Sequence, residues 1–136
     1  MSEPKQIIII RTDTNPKMRK GKMIAQGAHA SMKVIFDMME LVAGTGGKYY
    51  YKRLPIQPNT PLEEWVNKIF KKVVVGGTLS EITTAYQKAK VADIPCALIE
   101  DKGLTEFGGE VTITACAIGP ALPEDIDPIT KHLKLL

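Results

Sequence analysis

"KKVVVGGTLSEITTAYQKAKVADIPCALIE", residues 71–100, carries an apolar run, a helix signal and a second apolar run in immediate succession. Val73, Val74 and Val75 form a short β-branched stretch, the mark of a strand buried on both faces. Thr78 and Glu81 stand in the T-x-x-E spacing of a capping box, so a helix begins there. "IPCALIE", residues 94–100, is strand-like again. Strand, helix and strand in that order predict a largely parallel sheet with helices on its faces.

The same pattern extends outward. "QIIIIR", residues 6–11, is a buried strand, and a helix follows from about Gly21 to Val42. Ile24, Ala28, Ile35, Met38, Met39 and Val42 keep a helical period and are expected to face the sheet. "GTGG", residues 44–47, ends that helix, and residues 44–60 read as an irregular excursion rich in tyrosine and proline. "PLEEWVNKIF", residues 61–70, opens a short helix with proline at its first position, and Trp65 is expected in the core. "EVTITACAIGP", residues 110–120, is a fourth strand, separated from the third by too few residues for a crossover helix, so that pair is antiparallel. "PEDIDPITKHLKLL", residues 123–136, closes the chain with acids early and bases late, as a helix dipole favours. The expected fold is α/β: a three-layer α/β/α single domain over residues 1–136 with a four-stranded mixed β-sheet, order β-α-(α)-β-α-β-β-α.

Bulk properties exclude several classes. The 136 residues are 44% hydrophobic and 24% charged. No apolar run approaches the ~20 residues of a membrane span, and "MSEPKQIIIIR" lacks the pattern of a signal peptide. A cytoplasmic protein that does not engage membranes is expected. Cys96 and Cys116 sit in apolar surroundings and are expected to be buried free thiols. "GTGGK" fails as a phosphate loop, because Tyr49 follows where serine or threonine is needed. His29 and His132 lie far apart without a cysteine cluster, so no metal site is expected, and no cofactor fingerprint is present. The G-x-S-x-G elbow is missing as well.

Two segments carry candidate chemistry. In "GKMIAQGAHASMK", residues 21–33, Lys22, Gln26, His29 and Lys33 fall within a sector of about 60° on a helix, among small residues. Arg11, Lys17, Arg19, Lys20 and Lys22 crowd the entry to that helix, with Asp13 the only acid. A helix N-terminus already favours an anion such as phosphate. In "EDKGLTEFGGEVTIT", residues 100–114, Asp101 sits just past a strand's end. In open α/β sheets ligands gather beyond the carboxyl ends of the strands. The first strand feeds the basic loop and the third feeds Asp101, so parallel strands would bring both segments to one edge.

"KGKMIAQGAHA", "EDKGLTE…TIT…AIGP" and the closing "KHLKLL" together resemble the type II peptidyl-tRNA hydrolases, the archaeal and eukaryotic kind, over residues 5–43 and 61–136. The resemblance implies a small α/β/α domain that cleaves the ester between a peptide and the terminal ribose of tRNA, without a metal, and so returns tRNA to translation. Residue by residue it implies roles for Lys22, Gln26, His29, Asp101 and Thr105, and for Thr114, with Thr112 the alternative register. Arg11, Lys17, Arg19 and Lys20 are candidates to hold acceptor-stem phosphates, and look-alikes include homodimers. Lys102 stands where alanine is usual, "FGGEV" is one residue longer than the usual turn, and the 44–60 excursion is longer than is typical. Asp101 either activates a water or orients Lys22. The competing reading is a non-enzymatic RNA- or protein-binding relative on the same scaffold.

Overall fold

In the computed structural model, which describes residues 3–103 and 109–136 apart from the side chain of Thr45, the first apolar run is strand β1 (Lys5–Arg11). β1 pairs in parallel with β4 (Lys72–Gly77) on one side and antiparallel with β6 (Thr112–Ala121) on the other, and β5 (Cys96–Asp101) pairs antiparallel with β6. The sheet is therefore four-stranded and mixed, in the order β4-β1-β6-β5. Since β6 opposes both β1 and β5, those two run parallel. The carboxyl ends of β1 and β5 share one edge with the start of β6.

Side chains of β1 alternate between two cores. Ile8 and Ile10 pack with Ala97, Ala115 and Ala117 beneath helix α1 (Lys20–Met38). Ile7 and Ile9 pack with Ile82, Ala85 and Ile126 of α3 (Leu79–Val91) and α4 (Pro123–Thr130) on the opposite face. The sheet lies between the two helical layers, as expected. A short helix, α2 (Pro61–Asn67), carries the buried Trp65. Thr78 caps α3 reciprocally: its hydroxyl accepts from the Glu81 N–H at 3.2 Å, and Glu81 accepts from the Thr78 N–H at 3.0 Å. Among the described residues no helix is long and apolar enough to cross a membrane.

Three local readings are corrected. Helix α1 ends at Met38, not Val42; Glu40–Ala43 instead forms strand β2, paired antiparallel with β3 (Tyr50–Arg53). The 44–60 stretch is thus partly a β-hairpin. The face of α1 also differs. Ile24 is 73% exposed and Ala28 faces solvent, whereas Gln26, Gly27, Ala30, Ser31 and Val34 are buried. Small residues win this contact because the sheet beneath is itself paved with Ala97, Ala115 and Ala117, which lets the helix backbone come close. A Cβ at Gly27 would already stand 3.3 Å from Ile10 Cδ1. Buried Ser31 and Gln6 lock the contact, Ser31 donating to Gln6 Oε1 at 2.5 Å. Finally, α4 stops at Thr130, so Lys131, His132 and Lys134 lie beyond it. The tail pairs instead with the edge of β4, the Gly76 N–H donating to the Lys134 carbonyl at 3.0 Å.

Candidate active site

The first turn of α1 and the end of β5 meet at the shared edge. Alternation along β5 sends Ala97, Ile99 and Asp101 toward α1. There Lys22 Nζ forms an ion pair with Asp101 Oδ2, the two side chains being 15% and 12% exposed. The other oxygen, Asp101 Oδ1, accepts the Gly103 N–H at 2.9 Å in an Asx-type turn. Gly103 has φ +75, and a Cβ there would run into the Glu110 carbonyl oxygen, so this position requires glycine. The Lys22 ammonium first, then the Gly103 N–H, with a contribution from His29, hold the Asp101 carboxyl below the ordinary carboxylate range. Asp101 is therefore an anion at neutral pH and a weak proton acceptor.

One turn along α1 from Lys22, Gln26 is buried against β6. Thr114 Oγ1 donates to Gln26 Oε1 at 2.5 Å, and Thr114 is wholly buried. A β-bulge makes this contact. Ile99 is opposite Ala115 while Glu100 is opposite Ile113, so Thr114 is the extra residue on β6 and turns to the α1 face beside Ala115. The structure thus brings Thr114, and not Thr112, to Gln26. Thr112 pairs with Asp101 across the strands, and its hydroxyl donates to the Glu110 carbonyl at 3.3 Å. Thr114→Val should cost about 1–3 kcal/mol of stability, because Gln26 then buries an unpaired oxygen. Chemical denaturation checks this, and Thr114→Ser should restore the loss.

The remaining candidates are spread around this centre. His29 and Lys33 are exposed further along the stripe of α1 that carries Lys22 and Gln26, and Lys33 pairs with Asp37 at 3.1 Å. Thr105 lies outside the described residues. Lys17, Arg19 and Lys20 are exposed at the start of α1, whose first turn holds no acid. Lys20 falls on the far side of the helix from Lys22, at the rim of an apolar groove of about 330 Å³ lined by Ile24, Val74 and Leu136. Arg11 is engaged: its guanidinium donates to Asp13 at 2.8 Å and to the Ile113 carbonyl at 3.2 Å, which braces β1 against the start of β6. Cys116 is buried and Cys96 half-buried, both free thiols, and burial pushes both up from the usual thiol range.

Two contributors escaped the residue-level reading, the Gly103 N–H and the bulge at Thr114. The D-x-G spacing is itself the signal for the first, because an aspartate two residues before a glycine of positive φ forms this turn. The bulge leaves no such signature in a strand whose apolar pattern continues past it.

Residues 4–136 match the family described as Peptidyl-tRNA hydrolase PTH2. The chain belongs to the peptidyl-tRNA hydrolase PTH2 family. A peptidyl-tRNA hydrolase of Methanocaldococcus jannaschii is 38% identical over 133 residues, covering 97% of this chain and 99% of its own. One from Staphylothermus marinus is 40% identical over 135 residues, covering 99% of this chain and 97% of its own. A Saccharolobus islandicus peptidyl-tRNA hydrolase is 35% identical over 137 residues. Among solved structures, an Agrobacterium protein of unknown function covers 100% of this chain with a TM-score of 0.56 at 17% identity, a likeness of fold alone. The type II likeness read from the three motifs is thus a family relation across the chain.

Proposed function

We propose that this PTH2 family member hydrolyses the ester of peptidyl-tRNA at the Lys22–Asp101 cleft. The observation that carries this reading is the pairing of an ammonium and a carboxylate from distant segments at the carboxyl edge of the sheet. Ester hydrolysis requires a placed water, a route for its proton and positive charge where the oxyanion grows. Lys22 supplies the charge. As water adds to the ester carbonyl, the C=O electron pair moves onto oxygen beside the ammonium; collapse of the tetrahedral species breaks the C–O bond to the ribose, and a proton given up by the water ends on the departing ribose oxygen, relayed through solvent. Asp101, acidic for a carboxyl, suits an orienting role better than a basic one. It holds Lys22 and keeps lone pairs for a water. Gln26, set by Thr114, offers its amide to substrate or water, with Thr105 and the exposed His29 as further contacts.

Around the entry to α1, Lys17, Arg19 and Lys20 hold acceptor-stem phosphates, while Arg11 braces the strands. Affinity for tRNA should then fall steeply with salt, and Lys17→Ala should flatten the log–log slope by about 0.7–0.9. An unchanged slope removes Lys17 from the interface. In this reading the reaction is cytoplasmic and proceeds without a metal. A homodimer would cover the apolar groove beside α1, which sedimentation reads directly. The decisive assay is release of tRNA from N-acetylated peptidyl-tRNA by purified protein, with chelator and without. Equal turnover supports the whole scheme, and loss on chelation ends its metal-free part. Binding without turnover would favour the non-enzymatic alternative.

A further inference from the structure

The β2–β3 hairpin stands off the sheet and exposes both of its faces. An isolated two-stranded hairpin is marginal in water, so one that displays large apolar side chains calls for a partner. Leu41 and Tyr50 are each 66% exposed. The register places Leu41 opposite Lys52 and Ala43 opposite Tyr50, and these four with Lys48 line an open trough of about 530 Å³. Tyr49 and Tyr51 are occupied with each other, edge to face at 5.4 Å between ring centres. Alternation along β3 separates Tyr50 from Tyr51, and Tyr50 lines the trough between the two lysines with Tyr49 beside it.

Charge selects the partner. Residues 40–53 hold Lys48, Lys52 and Arg53 against one acid, Glu40, and Glu40 is already paired with Arg53 at 2.6 Å. The nearest acid on α1, Asp37, is paired with Lys33. An exposed ring between two lysines, on a face without a carboxylate among the described residues, suits a polyanion that also presents flat bases. A second copy of this chain would bring the same lysines to the contact and gains nothing from them.

We propose that this trough is a second contact for the tRNA substrate, distant from the ester, with Tyr50 stacking on an unpaired base and Lys48 and Lys52 on flanking phosphates. The inference rests on the hydrolase reading. It predicts a length requirement, because Lys22 and Met38 are separated by about 24 Å of helix at ~1.5 Å per residue. A nucleic acid anchored at the cleft reaches the hairpin only after about seven stacked nucleotides at ~3.4 Å each.

The test compares kcat/KM for full-length peptidyl-tRNA with that for the same peptidyl ester on a short 3′-terminal oligonucleotide. In the wild-type protein the full-length substrate should be preferred. In the triple variant Lys48→Ala, Tyr50→Ala and Lys52→Ala that preference should shrink about tenfold, chiefly through KM. An unchanged ratio overturns the proposal. So does an equal fall on both substrates accompanied by altered sedimentation, which would assign the hairpin to self-association. If neither substrate is turned over, the hydrolase reading fails. Filter binding of uncharged tRNA then still decides the contact, since equal affinity of variant and wild type refutes it.

Discussion

Lys22→Ala should lower kcat for peptidyl-tRNA hydrolysis by about 10²–10³-fold with the fold intact, a loss comparable to removing one oxyanion donor elsewhere. The lysine comes from the first turn of α1, which is anchored independently through Gln6, Ser31 and the close seat of Gly27 on Ile10. The variant should therefore keep its circular dichroism while the orphaned Asp101 costs some stability. Lys22→Arg keeps the charge but places a wider fork in a space that closes on one carboxylate, so partial activity is expected. Near-wild-type rates in Lys22→Ala would remove the ammonium from the chemistry.

Asp101→Asn is expected to cost about 10²-fold in kcat, and combining it with Lys22→Ala separates the two roles open to the carboxylate. The carboxyl is depressed in the folded protein, so the stability it contributes is complete above its ordinary pKa and is lost only as pH falls through the lower folded value. Activity limited by Asp101 should accordingly stay level from neutral to mildly acidic pH and decline only below the ordinary carboxylate range. Asparagine can still accept the Gly103 N–H, so the turn survives while the charge is gone. If Asp101 acts by holding Lys22, the double variant Lys22→Ala with Asp101→Asn should be no slower than the worse single one. Independent, multiplying losses would instead give the carboxylate its own step.

The sheet was legible because its strands are apolar runs between sharp punctuation, and the ten-residue gap after Asp101 forced an antiparallel partner. Legible too was the meeting of Lys22 and Asp101, which follows once β1 and β5 are parallel. The packing face of α1 was not. The expected period starts from Ile24 and Ala28, yet both are exposed, while Gly27, Ala30 and Ser31 carry the contact through closeness rather than area. The hairpin was hidden for a related reason: "ELVA" continues the helical period, and the tyrosine-rich partner strand has no buried side to give it alternation.

The extra residue at Thr114 also uncouples two lengths of β6. From Ala115 to Ile118 the strand keeps step with β1 and β5, whereas the part before it has been rotated out of phase. A segment phased separately from the core can gain or lose a residue upstream without tipping isoleucines into solvent. Variation in the length of chain ahead of β6 is then absorbed before the bulge. The scaffold can explore new rims for its cleft while the hydrophobic interior stays in register.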